Sequence, residues 1–348
     1  IKIGNYNAIG DFMTSAYQKP DAPAVHYFDD TFSYGDIDRL SNGFAAALEH
    51  LGVVKGDRVI LVLQNIPQFL ISTYAAWKIG AIVVPLNPMY KEKELSYFCE
   101  NSNAKIFITL EEIAGQLEIS FLQKSSIEKV ITTSPLDFLS DQINLPKLLN
   151  NTPKKPVPGC IDMLELINRY QGAQITCPKT SAEDIAYLTY TSGTTGSPKG
   201  AMNTHGNIAF NARVYQAMQR LDEIDVILGV APLFHVTGEV AHLATAALAG
   251  IPVVLYYRFD PAETLRLIER WDITTTVASI TVYIALMNHP DIEKTDLASF
   301  TKAYSGGAPV SEAIVNQFEE MTGQYLYNVY GMTETNSPSH IVPLGKRA

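Results

Sequence analysis

Asp57-Arg-Val-Ile-Leu-Val-Leu-Gln-Asn-Ile-Pro-Gln-Phe-Leu-Ile-Ser-Thr-Tyr-Ala-Ala-Trp-Lys-Ile-Gly-Ala-Ile-Val-Val-Pro-Leu86 holds two short apolar runs on either side of a helical pattern. The first run, to Leu63, reads as a strand. Asn65 is a candidate N-cap, and Pro67 sits early in the next element, where its missing N–H costs nothing. Phe69, Leu70, Thr73 and Trp77 share one helical face, the helix runs to Lys78, and Gly80 stops it. Ala81–Leu86 is the second strand. The unit is βαβ, which argues for an α/β fold built on parallel sheet.

Alternation continues outward from this unit. Strand Ile185–Thr191 is followed by helix Gly206–Arg220, strand Val226–Ala231, helix Glu239–Leu248, strand Ile251–Tyr257 and helix Pro261–Trp271. Strands Thr274–Ser279 and Ser299–Ser305, helix Val310–Thr322 and strand Tyr325–Val329 complete the pattern. Residues 134–183 carry six prolines and read as surface loop with one short helix near Asp162–Tyr170. The expected fold class is α/β, with two α/β subdomains of mainly parallel sheet at roughly 55–210 and 220–335, and with residues 1–54 packing on the second.

Composition narrows the function classes. The 348 residues carry a formal charge of −10, with 47% apolar and 18% charged residues, enough to bury a sizeable core. With a pI near 5.2 and no dense Lys/Arg tract, a nucleic-acid backbone is a poor partner. Cys99, Cys160 and Cys177 are odd in number and form no CxxC pair, which excludes a disulfide framework and a cysteine zinc site and points to a reducing, cytoplasmic setting. The most apolar stretch, Leu243–Tyr257, is broken by Gly250 and Pro252 and is shorter than the roughly 20 residues a membrane span needs.

Four segments carry chemistry. Tyr190-Thr-Ser-Gly-Thr-Thr-Gly-Ser-Pro-Lys-Gly200 follows a strand, with a helix expected soon after. Its hydroxyls and backbone N–H groups suit anionic oxygens, its glycines allow close approach, and Lys199 adds a point charge. The spacing is not that of a Walker A loop. Tyr304-Ser-Gly-Gly-Ala-Pro309 ends a strand in two glycines against which a flat ring can lie. Asn328-Val-Tyr-Gly-Met-Thr-Glu-Thr335 offers a stacking tyrosine, an amide and a carboxylate. A fourth, Pro232-Leu-Phe-His-Val-Thr-Gly238, follows a strand end, where open α/β sheets place ligands, although a lone histidine beside phenylalanine also reads as core packing.

The segment Leu188–Gly200, taken with these motifs, resembles the signature of the ANL superfamily of adenylate-forming enzymes: acyl-CoA synthetases, adenylation domains of peptide synthetases, and luciferases. The resemblance covers essentially the whole chain. It implies that Thr191, Ser192, Gly193, Thr194, Thr195, Gly196 and Lys199 bind the phosphates of ATP, and that Gly306, Gly307 and Ala308 form one adenine wall. It further implies that Tyr330 stacks on the other face, Asn328 reads the ring edge beside Val329 and Gly331, and Thr333 meets the α-phosphate. Glu334, with Thr191, is implied to hold Mg²⁺; His235, Lys199, Thr194 and Glu334 form the implied catalytic set. His235, Val236, Thr237, Gly238 and Met332 would line the acid pocket. Val329 stands where many relatives carry glycine, and Ser279-Ile-Thr281 stands where they carry Val-Pro-Thr, which leaves the pocket's shape there open.

The implied reaction joins a carboxylic acid to ATP as an acyl-adenylate and then to coenzyme A. Phe234-His235 replaces the Phe-Asp that amino-acid-activating members show, which favours a fatty or aryl acid. Loading of a carrier protein and a non-catalytic nucleotide-binding module are the alternatives. Glu239 reads either as dipole compensation at a helix start or, with Thr237, as a polar face of the acid pocket. Typical members continue with a ribose-binding aspartate, a hinge and a small lid domain bearing a lysine. The sequence ends at Ala348 before these, so it is expected to be a fragment of the large domain, weak in adenylation alone.

Overall fold

The computed structural model describes residues 4–117, 125–152, 154–175, 179–191 and 196–347. Helix α1 (Ala8–Gln18) starts at Asn7, whose side-chain oxygen accepts from the Ile9 and Gly10 amides. β1 (Pro23–Tyr27) and β2 (Asp30–Ser33) pair antiparallel. Helix α2 (Tyr34–His50) follows from a reciprocal cap: the Ser33 hydroxyl accepts from the Asp36 amide, and the Asp36 carboxylate accepts from the Ser33 amide.

The βαβ unit forms as expected, with β3 (Arg58–Val62), α3 (Pro67–Lys78) and β4 (Ile82–Pro85), the strands parallel from Arg58↔Ile82 to Leu61↔Pro85. The cap is different. Ile66 precedes the first turn with no side-chain bond, and Asn65 is engaged elsewhere. α4 (Glu92–Ser102), β5 (Ile106–Leu110), α5 (Glu111–Gln116), β6 (Lys129–Thr133), β7 (Ile161–Asp162), α6 (Met163–Arg169), β8 (Ile185–Thr191) and β9 (Lys199–Thr204) complete the first sheet. Its order is β7-β6-β5-β3-β4-β8-β9, parallel except for β9. Ile60, Val62 and Phe107 face Leu95, Phe98 and Cys99 of α4, while Val59, Leu61 and Ile108 face the main core. Both faces being covered explains the unbroken apolar runs. The expected helix does follow the glycine-rich loop, starting at His205; before it, Lys199–Thr204 returns antiparallel along β8 as an edge strand that the sequence reading did not include.

α7 (His205–Gln219) leads to the second sheet, built from β10 (Ile227–Leu228), β11 (Val253–Leu255), β12 (Thr275–Ser279), β13 (Lys302–Gly306), β14 (Leu326–Met332) and β15 (Ser337–Ile341). β1 pairs parallel with β11, so the order is β15-β14-β13-β12-β10-β11-β1-β2. Helices α8 (Thr245–Ala249), α9 (Pro261–Arg270), α10 (Ile280–Met287) and α11 (Glu312–Thr322) fall between these strands. Three expectations change here. The helix read from Glu239 is a π-helical segment, Gly238–Ala244, before α8. α10 joins β12 to β13, as parallel neighbours require a crossover, although no helix was expected there. β15 adds an antiparallel edge beyond β14.

A buried cation ties α2 to α3. Lys78 is wholly enclosed, and its ammonium donates to the Asp38 carboxylate (2.7 Å), Ser41 Oγ (2.8 Å) and Asn42 Oδ1 (2.7 Å). Burial lowers its pKa, an effect opposed by the charge of Asp38. Asp38 keeps access to water, so losing the cation costs less than a fully buried pair would. Lys78→Met is expected to lower the free energy of unfolding by about 2 kcal/mol, mainly through acceptors left without a donor. Urea unfolding measures it, and an unchanged midpoint refutes it.

Candidate functional site

A cleft of about 1230 Å³ lies at the carboxyl ends of strands from both sheets. Thr191, Gly196 and Lys199 reach it from the β8–β9 hairpin. His235, Val236 and Thr237 come from the segment between β10 and the π-helix. Gly306, Gly307 and Ala308 come from the end of β13, and Val329, Gly331, Met332, Thr333 and Glu334 from the end of β14 and the turn beyond it. Segments up to 143 positions apart, Thr191 to Glu334, thus share one wall system.

Three singled-out residues stand off that wall. Asn328 and Tyr330 are exposed on β14, Tyr330 at 58% with its ring 6.0 Å from that of His340. Strand alternation sends them to the face opposite Val329. Gly238 is buried, and a Cβ there would come within 2.2 Å of the Pro232 carbonyl oxygen. Its lack of a side chain lets the π-helix start pack on that backbone. Ser192, Gly193, Thr194 and Thr195 lie outside the described residues.

Local geometry explains how the walls are held. Thr191 and Lys199 are paired residues at the mouth of the hairpin. From α4, the Tyr97 hydroxyl donates to the Pro198 carbonyl (2.7 Å), and Asn101 Oδ1 accepts from the Tyr190 hydroxyl (2.6 Å). Gly306 is pressed against β14, where a Cβ would lie 2.8 Å from both Val329 Cγ1 and the Val329 oxygen; Gly307 has φ +81. Beyond β14, Thr333–Thr335 makes a single 3₁₀ turn, and Asn336 (φ 55) and Ser337 (φ 82) then reverse the chain. Non-glycine residues in that region cost roughly 1–3 kcal/mol each and need support from their surroundings.

His235 projects into the cleft, reached by solvent but closed in by the walls, and that desolvation lowers its pKa. Nδ1 accepts from the Thr237 amide at 3.3 Å. The neutral ring therefore carries its proton on Nε2. Glu334 is exposed on the cleft, and among the described residues nothing pairs with its carboxylate. No group of three or more His, Cys, Asp or Glu side chains is arranged for a metal among the described residues. Thr191 and Glu334 supply a hydroxyl and one carboxylate, a set that suits Mg²⁺ carried by substrate phosphates rather than an all-protein cage.

Two polar residues have roles that the sequence did not indicate. Asn65, buried at the end of β3, exchanges backbone bonds with Tyr257 and donates its amide to the Gly229 and Ala231 carbonyls (2.8 and 3.0 Å). Its Oδ1 accepts from the Leu233 amide at 2.9 Å. One side chain thereby stitches the first sheet to the segment that presents His235. Glu239 is fully buried behind Thr237 and off the cleft wall, with the Thr189 hydroxyl 3.0 Å from both carboxyl oxygens. Burial raises its pKa to about 8 and lowers that of His242, whose Nε2 accepts from the Ala231 amide, to about 3. Of the pair considered for the acid pocket, Thr237 lines the cleft and Glu239 does not.

With this geometry, residues 12–348 match the family model described as AMP-binding enzyme. The chain belongs to the AMP-binding enzyme family. Within that family it is 34% identical over 336 residues to a long-chain-fatty-acid–CoA ligase of Bacillus subtilis (strain 168), covering 94% of this chain and 60% of the relative. It is 31% identical over 312 residues to a 4-coumarate–CoA ligase of Humulus lupulus, covering 87% and 52%. Among solved structures, the anthranilate CoA ligase AuaEII in complex with anthranoyl-AMP superposes with a TM-score of 0.88 at 23% identity over 100% of this chain and 64% of that one. A long-chain-fatty-acid–CoA ligase of Archaeoglobus fulgidus gives 0.82 at 21% identity, over 99% and 67%. The chain thus spans about three fifths of the length of the curated relatives. Its fold is that of the large domain of ANL adenylate-forming enzymes, two mainly parallel sheets in an α/β arrangement. Among the described residues no helix is long and apolar enough to cross a membrane.

Proposed function

We propose that the protein to which this chain belongs is an AMP-forming acyl-CoA ligase for a fatty or aryl acid, and that residues 1–348 supply its nucleotide and acid walls. The supporting observation is convergence: the hairpin, the Phe-His segment, the Gly-Gly-Ala turn and the Thr-Glu turn meet in one cleft. The substrate carboxylate attacks the α-phosphorus of ATP, an O–P bond forms, and the bond to pyrophosphate breaks. The thiolate of coenzyme A then attacks the acyl carbon and AMP leaves, the thiol proton passing to solvent.

The physical demand is to bring an anion to a polyanion. Lys199, Thr191 and Gly196 face the phosphates in this reading, and Ser192–Thr195 are assigned to the same phosphates from the sequence alone. Gly306, Gly307 and Ala308 take the flat ring; Asn328 and Tyr330 would have to approach it from the strand's outer face. Neutral His235 directs Nε2–H at the substrate carboxylate beside Val236, Thr237 and Met332, and Thr333 meets the α-phosphate. When bound, Mg²⁺ adds charge neutralisation on the phosphates, and Glu334 with Thr191 would hold it. The preference for an acid without an α-amino group rests on His235 standing where a carboxylate would be needed.

The decisive experiment is acid-dependent pyrophosphate release by the complete gene product, across fatty, aryl and amino acids, with and without coenzyme A. AMP and acyl-CoA are expected to accumulate for one acid class. Glu334→Gln is expected to reduce that release about thirtyfold with little change in thermal stability. Silence across the panel from a folded protein that still binds ATP overturns the ligase reading in favour of a non-catalytic binding module. Transfer to a carrier protein but not to coenzyme A would replace the acceptor.

A further inference from the structure

We propose that Asn211 and Tyr215, neighbours on one face of α7, are positioning residues that hold the Asn336–Ser337 corner and so aim Thr333 and Glu334 into the cleft. The corner needs an external hold. Two successive non-glycine residues take left-handed backbone there, and the Asn336 side chain, though buried, bonds through neither its oxygen nor its nitrogen. Asn211 supplies the hold from outside: its Nδ2 donates to the Thr335 carbonyl at 2.9 Å and to the Asn336 carbonyl at 2.7 Å. Both amide hydrogens are thus spent on consecutive residues of the turn. One helical turn on, the Tyr215 hydroxyl meets Ser337 Oγ at 2.8 Å.

The corner in turn fixes the catalytic turn. Thr335 Oγ1 accepts from the Met332 amide and donates to the Ser337 carbonyl, closing the loop that displays Thr333 and Glu334. Rotation of the corner out of left-handed backbone would swing the Ser337 carbonyl, which now packs where a Gly331 Cβ would sit. α7 is a rigid base for this task, because it starts at a reciprocal Thr204–Asn207 cap. Neither Asn211 nor Tyr215 need touch a phosphate to act, and the functional half of the inference rests on the nucleotide reading of the cleft.

The test uses the complete gene product, with amide hydrogen exchange and titration calorimetry of AMP without metal and of ATP with Mg²⁺. In Asn211→Ala, exchange across 331–337 is expected to speed at least tenfold while β3–β6 keep their protection, and affinity for Mg-ATP is expected to fall about tenfold against less than twofold for AMP. Adding Asn336→Gly should recover most of that loss, since glycine takes the left-handed backbone without the clamp. Tyr215→Phe carries the same readouts should Asn211→Ala fail to fold. Unchanged exchange at 331–337 overturns the clamp, and faster exchange with unchanged Mg-ATP affinity overturns the aiming role. A complete wild-type protein that binds neither nucleotide overturns the nucleotide reading and the aiming with it, and exchange alone then judges the clamp.

Discussion

Gly331→Ala is expected to weaken Mg-ATP binding a thousandfold or more while leaving most of the fold in place. A Cβ on residue 331 would lie 1.5 Å from the Ser337 carbonyl oxygen and 2.5 Å from its carbon, both backbone atoms that no rotamer change can move aside. The β14–β15 hairpin must open at its bulge between Tyr330 and Gly331, and Thr333 and Glu334 travel with it. β15 is the edge of its sheet, so the disruption stops there and the first sheet is spared. Gly115→Ala makes the matched control, because its Cβ meets nothing within 4 Å and it lies within α5. Calorimetric titration with Mg-ATP, beside far-UV circular dichroism of both variants, checks the contrast. Retention of wild-type affinity within threefold by Gly331→Ala would show that the turn does not contact nucleotide.

The same residues show what a sequence can and cannot express. The βαβ unit was legible because its information is local: apolar runs on both sides, Pro67 at the start of the helix, Gly80 at its end. α10 was not, since Ile-Thr-Val-Tyr-Ile-Ala-Leu-Met mixes β-branched and aromatic residues and offers no polar face to set a helical period. β9 has little strand character of its own and exists through pairing with β8. Among site residues, glycine-bearing segments announced themselves, because glycine marks close approach wherever it stands. Asn65 gave no such mark: its partners lie more than 160 positions away. The Asn336–Ser337 corner was equally silent, since its left-handed backbone is imposed by α7 rather than requested by glycine.

Glu239→Gln is expected to stabilise the chain by roughly 3 kcal/mol at pH 7 and by little at pH 4.5, the difference growing at about 1.4 kcal/mol per pH unit between. An unfolded glutamate releases its proton near 4.5, whereas burial holds the folded carboxyl to about 8. Over that window the folded chain binds the extra proton, so stability is fullest below pH 4.5 and is lost as pH rises towards 8. Thr189 opposes the shift through its hydrogen bond, and Tyr187 is the titratable neighbour whose own ionisation Glu239 disfavours. Gln keeps the shape and a carbonyl for Thr189 and has nothing to titrate. Buried His26 (pKa about 4), His205 and His242 (each about 3) act in the opposite sense, removing stability as pH falls below 6.5. They are common to both proteins, so the difference between wild type and variant isolates Glu239. Urea unfolding of the pair from pH 5 to 8.5 gives that difference, and parallel curves would refute a protonated Glu239. The position matters beyond stability: β8 ends at Thr191 and the π-helix begins three residues after His235. The Thr189–Glu239 hydrogen bond therefore ties the strand that leads into the glycine-rich loop to the segment that presents the imidazole.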